Sequence, residues 1–159
     1  MARTRRIITT AIAAATMLIA APTATAATPH GKQPVKAAAD TCGTSVNPNT
    51  YIPSRRRHNG PSAKIGGAKI QVRYGNKKAG APYYVWASIT SARKDDTIHL
   101  QWDIDYGSWM DFGTCSATVH SGSAQNTRAV KYRHGNGWHL EAQAWGRHAG
   151  RKGSTAYWP

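Results

Sequence analysis

Acid is what this sequence has least of: 7 Asp and Glu stand against 21 Lys and Arg. That excess favours polyanionic partners such as nucleic acid, teichoic acid, anionic lipid or an acidic protein, and it also keeps an exported chain soluble. Cysteine is almost missing. Only Cys42 and Cys115 occur, and neither belongs to a C-x-x-C pair, which argues against a zinc site. Apart from the N-terminus there is no long apolar run, so no transmembrane segment is expected. No stretch sustains a 3.6-residue apolar period and no internal repeat is visible, which excludes bundles and solenoids. H-E-x-x-H, G-x-S-x-G and phosphate-binding glycine loops are also absent, so no cofactor or metal is implied.

The start of the chain reads as an address. "MARTRRIITTAIAAATMLIAAPTATA" has a basic head (Arg3, Arg5, Arg6), a short apolar stretch and Ala24-Thr25-Ala26 as a cleavage site, so residues 1–26 are expected to be a signal peptide. Arg5-Arg6 matches the twin-arginine pattern only partly, and general secretion is the preferred reading. No lipidation cysteine follows, so a secreted, extracellular protein is expected. The remaining 18 Lys and Arg minus 7 acids leave a net charge of +11 on about 133 residues, enough for one domain. Export makes a Cys42–Cys115 disulfide the expectation, worth about 4–5 kcal/mol in the chain-entropy model.

Residues 27–41, "ATPHGKQPVKAAADT", carry Pro, Ala and Lys without apolar periodicity and read as a flexible arm ahead of a β domain at 42–159. Residues 43–67 read as loop. Alternation then begins: Ile70, Val72 and Tyr74 oppose Lys69, Gln71 and Arg73 on a half-buried strand. "YYVWASITSA" is a more apolar strand, and in "TIHLQWDI" the apolar set Ile98, Leu100, Trp102 and Ile104 alternates with polar residues. Cys115, Ala117 and Val119 mark a fourth strand. "TRAVKYRH" and "WHLEAQAWG" flank Gly135-Asn136-Gly137, a hairpin signal because Asn-Gly accepts positive φ at little cost. "STAYW" closes the chain as a short strand. The fold expected is all-β: one antiparallel β-sandwich or small barrel of six to seven strands.

"DIDYGSWMDFG" (103–113) holds a disproportionate share of the scarce acid. A calcium loop counted from Asp103 has Asp105 at its third position, but Gly107, Ser108 and Thr114 at its fifth, sixth and twelfth. The third ligand, the turn glycine and the closing glutamate are therefore missing. Asp103 and Asp105 on one strand make no cleft of the kind glycosidase carboxylates flank about 5–9.5 Å apart. The segment resembles the Asp-box turn, S-x-D-x-G-x-T-W, through Asp105 and Gly107, with Asp103 in place of the serine and Trp109 one position early. That resemblance implies a structural turn, the aspartate bonding turn amides and the aromatic packing beneath.

Two sets of residues suggest function. His139 and Glu141 share a strand face across a hairpin from Lys131 and Arg133. Base, acid and cation (His139, Glu141, Arg133) are what ribonucleolytic transphosphorylation needs, and equally a solvated polar face. Copper oxygenase chemistry would need an N-terminal histidine, and freeing His30 means cleavage after Pro29, which signal peptidase handles poorly. Arg55, Arg56 and Arg57 form the densest basic patch, as a solvated loop or an anion contact. Trp86, Trp102 and Trp138 sit at inward-looking positions, leaving Trp109, Trp145 and Trp158 as candidate binding aromatics.

The order "IQVRYG", "YVWASI", "DTIHLQWDIDYGSW", a cysteine-bearing strand and the pair Tyr157-Trp158 resembles small exported actinobacterial β-sandwich proteins. It is also similar to the adaptor subunit of umbrella toxin particles. Those adaptors are compact β domains that link a lectin-bearing subunit to a toxin stalk by docking a flexible N-terminal arm, and residues 27–41 correspond to that arm. The resemblance implies a non-enzymatic adaptor with a secreted protein partner. An extracellular ribonuclease or nuclease toxin acting on nucleic acid is the first alternative. The second is a cell-wall or glycan binder that holds an anionic cell-wall polymer through its basic and aromatic surface.

Overall fold

The computed structural model describes residues 41–159; the expected signal peptide and residues 27–40 of the arm lie outside them. Two antiparallel sheets pack face to face, one of them curled into a half-barrel. The strands are β1 (Ser45–Val46), β2 (Arg57–Ile65), β3 (Ala68–Asn76), β4 (Tyr83–Thr90), β5 (Thr97–Asp105), β6 (Met110–Thr118), β7 (Ala124–Asn126), β8 (Ala129–Lys131), β9 (His134–Gly135), β10 (Trp138–His148) and β11 (Arg151–Ser154). One sheet runs β1-β8-β4-β3-β2 with β7 beside β4. The other runs β11-β10-β5-β6 with β9 beside β10. Seven strands have four residues or more, which matches the expected number of principal strands.

Alternation decides the faces. Ile70, Val72, Val85, Ala87 and Ile89 from the first sheet meet Ile98, Leu100, Trp102, Ile104, Leu140, Ala142 and Ala144 from the second, all buried. β10 contributes small residues, and Gly146 lets the sheets close: a Cβ there would lie 2.8 Å from the Thr97 carbonyl oxygen and 3.2 Å from Ile70. Cys42 and Cys115 are bonded. Their bridge ties the start of the described chain to β6, where the Thr114 N–H also donates to the Thr41 hydroxyl at 3.0 Å.

Several expectations are corrected. Residues 43–67 are not simply loop. They hold β1, the short helix α1 (Pro48–Tyr51) capped by Asn47, a 3₁₀ turn at Ser54–Arg56, and the nine-residue β2. β2 is an edge strand, polar on much of its length, with Gly60 and Pro61 accommodated at a bulge between Asn59 and Ser62. The fourth strand starts at Met110 rather than near Cys115. "TRAVKYRH" divides into β8 and β9, and the last strand, β11, ends at Ser154, so of "STAYW" only Ser154 is strand and Trp158 makes an isolated bridge to Ala142. Trp86 is fully buried but points away from the main core. With Ile52 and Ala129 it forms a second small core beside Tyr51 and Tyr84. The Asn136-Gly137 hairpin forms as expected, with Gly137 at φ +78°.

A buried histidine–aspartate hydrogen bond pins three turns. His148 donates from Nδ1 to Asp96 Oδ2 at 2.6 Å, and Asp96 also accepts the N–H groups of Arg93 at 2.6 Å and Ala149 at 3.2 Å. The histidine ring packs on Gly66 and Gly67 of the β2–β3 turn. Burial alone would push the Asp96 carboxyl up. The bonds from Arg93, His148 and Ala149 outweigh burial and hold it below its ordinary value. The folded state therefore binds this proton less readily than the unfolded chain. The stability it contributes is complete above about pH 4–5 and is lost as pH falls through the folded value. Circular-dichroism melts between pH 7 and pH 2 are expected to show a midpoint falling below about pH 4, with a shallower fall in Asp96→Asn. His148→Ala is expected to cost on the order of 3 kcal/mol at pH 7, because it strands a buried carboxylate.

Candidate functional site

The β5–β6 hairpin builds its tip from local chemistry. Asp105 Oδ1 accepts the Gly107 N–H at 2.7 Å, Gly107 takes φ +85°, and the Tyr106 N–H bonds the Trp109 carbonyl at 3.0 Å. Asp105 and Gly107 thus act as a structural turn. Trp109 does not pack beneath it. It stands 58% exposed and stacks on Tyr106 with ring centroids 4.0 Å apart, while Tyr106 meets the partly buried Trp138 at 4.7 Å. Met110 (50% exposed) and Phe112 (60% exposed) follow on β6, an edge strand. Among the described residues, three of the four large exposed apolar side chains belong to this hairpin, the fourth being Tyr83.

Beside the tip, a cavity of about 490 Å³ opens at one end of the sandwich. Its walls include Trp102, Tyr84, Phe112, Lys131, Arg133 and Asp111. Arg133 donates to Asp111 Oδ2 at 2.8 Å and lies 5.5 Å over the Trp102 ring. Across the Lys131–Arg133 ridge lies a second, shallower hollow of about 530 Å³, edged by Tyr83, His134 and Trp138. Met110, Phe112, Asp111 and Tyr83 escaped sequence reasoning as site residues, the first three because the strand carrying them was expected to begin later. The signal available was Met110 and Phe112 alternating with Asp111 directly after a turn.

The suggested catalytic set does not assemble. His139 and Glu141 do share a face, Nε2 lying 3.9 Å from Oε1, and Asp103 stands opposite Glu141 in the β5–β10 ladder. That face is the outer one, because Leu140 and Ala142 between and beyond them are core. Arg133 instead pairs with Asp111, whose ladder partner is the core residue Ile104, and covers Trp102 from the inner side. Acid and base are therefore on one side of the sheet and the guanidinium on the other.

The basic cluster is also divided. Arg55 is exposed and Arg56 half-exposed on the 3₁₀ turn. The Arg57 guanidinium is committed to carbonyls: Nε donates to Ile52 at 2.8 Å and a terminal nitrogen to Asn49 at 2.9 Å, closing the C-terminal end of α1. Of the three candidate tryptophans, Trp145 stacks on His99 at 3.8 Å on the outer face of the second sheet. Trp158 packs against the core, stacked on Tyr74 at 4.9 Å with its edge towards Tyr132 at 5.4 Å. Trp109 alone of the three stands clear of the body. Among the described residues, no group of three or more metal-ligating side chains occurs, and no helix is long and apolar enough to cross a membrane.

No family model, curated protein or solved structure matches the chain. The site therefore stands on its own geometry. Because the Asp105 carboxylate is already spent on its own turn, millimolar calcium is expected to leave the melting midpoint unchanged. Asp105→Ala is expected to lower stability by about 1 kcal/mol with or without calcium, as calorimetry would measure.

Proposed function

We propose that this is an exported, non-enzymatic binding protein that joins an extracellular assembly through a protein partner. Its contact surface is the β5–β6 hairpin tip and the cavity beside it. One observation carries the reading: Trp109, Met110 and Phe112 are exposed together on one hairpin, next to a cavity lined by further aromatic residues. Large apolar side chains clustered in this way mark contact sites, and aromatic anchors dominate binding energy where they fill a partner's pocket. The resemblance to the adaptor subunit of umbrella toxin particles points the same way, since such a domain works by linking other subunits. Residues 27–41 would then supply an extended peptide for docking as an added strand.

The ribonuclease alternative is favoured by the closeness of His139 to Glu141 and opposed by the position of Arg133. Two measurements separate the readings. Purified mature protein is expected to leave RNA intact, whereas cleavage lost in Glu141→Gln would establish the enzyme. Trp109→Ala with Phe112→Ala is expected to weaken capture of a partner from culture supernatant by at least tenfold. Its own stability should change by no more than about 1 kcal/mol, because both side chains are already more than half exposed. Undiminished capture by that double variant, and by a chain lacking residues 27–41, would overturn the proposal.

A further inference from the structure

Charge is segregated between the sheets. From Thr41 to Lys94 the chain carries ten Lys and Arg and no acid. The six acids of the described residues, Asp95, Asp96, Asp103, Asp105, Asp111 and Glu141, belong to the β5–β6–β10 sheet or to the turn entering β5. The outer face of the β2–β3–β4 region follows from the ladder. Ile70 and Val72 face the core, so Lys69, Gln71 and Arg73 face outward. Lys64 stands directly opposite Lys69, and Asn59 and Trp86 stand opposite Arg73. Two lysines as a cross-strand pair repel each other, and among the described residues no carboxylate shares their face to relieve it.

Arg73 sharpens the point. Its guanidinium lies 5.8 Å over the buried Trp86 ring, so it is held in place rather than waving in solvent. Its Nε is buried and has no hydrogen-bond partner among the described residues. Burial, then the neighbouring Arg57 charge, push its pKa down, as expected of a cation that lacks a counter-charge. A guanidinium fixed over Trp86, on the same strand face as one of two repelling lysines, suits an oxyanion through its charge.

The layout selects among oxyanions. Lys69 and Arg73 are four strand steps apart, about 13 Å, so one small anion cannot satisfy both while a polymer of repeating anions can. Trp86 is fully buried and Tyr51 is occupied by Tyr84 at 5.2 Å and Lys77 at 5.1 Å, so the face offers no free aromatic platform for bases. We propose that Lys64, Lys69 and Arg73 form a binding face for a non-aromatic phosphodiester polymer, a polyol phosphate of the cell-wall type. This surface is separate from the β5–β6 hairpin and does not depend on its reading.

The test uses the mature protein with purified poly(glycerol phosphate) wall polymer, and with single-stranded and duplex DNA of matched charge, each titrated across a salt series. Binding to the polyol phosphate is expected to fall log-linearly with salt through counter-ion release. Lys64→Gln with Lys69→Gln is expected to weaken it roughly tenfold while holding or raising the melting midpoint, since a repelling pair is removed. Arg73→Lys, which keeps the charge but loses the fixed fork, is expected to weaken it as well. Arg147→Gln with Lys152→Gln, a like-charged cross-strand pair on the other sheet, serves as the control and is expected to leave polymer binding unchanged. Equal weakening by that control would reduce the effect to net charge and overturn the proposal. Tighter binding of either DNA, or no binding at 150 mM salt, would overturn it too.

Discussion

The register of β10 against β5 is the constraint on which the rest of this molecule hangs. Leu140 faces Ile104, Ala142 faces Trp102, Ala144 faces Leu100 and Gly146 faces Ile98, a row that narrows from large to small along β10. The taper is what the opposite sheet requires, for at Gly146 even a methyl group would press on Ile70. A slip of one residue would turn His139, Glu141, Gln143 and Trp145 into the core, a cost no marginally stable domain survives. Once the register is fixed, the chemical character of both surfaces of that sheet is fixed with it.

That constraint also separates groups which a linear reading places together. Arg133 and His139 are six residues apart and joined by a hairpin, yet the β10 pleat sends His139 and Glu141 outward while Arg133 closes over Trp102 and Asp111. The scarce carboxylates are consumed one at a time by local needs. Asp96 holds His148 and two backbone N–H groups, Asp105 holds its turn, and Asp111 holds Arg133. The six acids of the described residues lie on or beside one sheet, and on the other Lys64 and Lys69 face each other.

How much of this was legible in the sequence depended on whether a residue's fate was settled by its own strand. β3 and β5 were readable because period-2 alternation and β-branched side chains agree there, β4 from its continuous apolar run, and β10 from the hairpin signal that precedes it. The disulfide was readable from export and number, and the Asn136-Gly137 hairpin from its need for positive φ. β2 was not readable, because an edge strand with Gly60 and Pro61 at a bulge has neither a clean period nor an apolar run. Trp86 and Trp158 show a second limit. Alternation assigns a face, but not what covers it. Trp86 looks away from the main core and is buried anyway by α1 and Ile52, while Trp158, outside any strand, is drawn in between Tyr74 and Tyr132. The site at the hairpin tip was half legible: Asp105 and Gly107 announced the turn, but nothing local said that Trp109 would stay outside it.

The exposure of Trp109 follows from how the turn is made. A four-residue tip closed by the Tyr106 N–H and the Trp109 carbonyl has no hollow beneath it for an indole. The ring finds Tyr106 instead, and Tyr106 is itself propped on Trp138 across to the β9–β10 hairpin. The result is an aromatic stack anchored at its base and open at its outer end. Leaving such a side chain in water forfeits roughly 1.5–3 kcal/mol of burial, so it is an expensive ornament for a fold that does not use it. Holding the ring in one orientation before contact removes part of the ordering entropy that a partner would otherwise have to offset. A flexible aromatic loop would bind more weakly for the same buried area, and the stacked tip is the arrangement that avoids this.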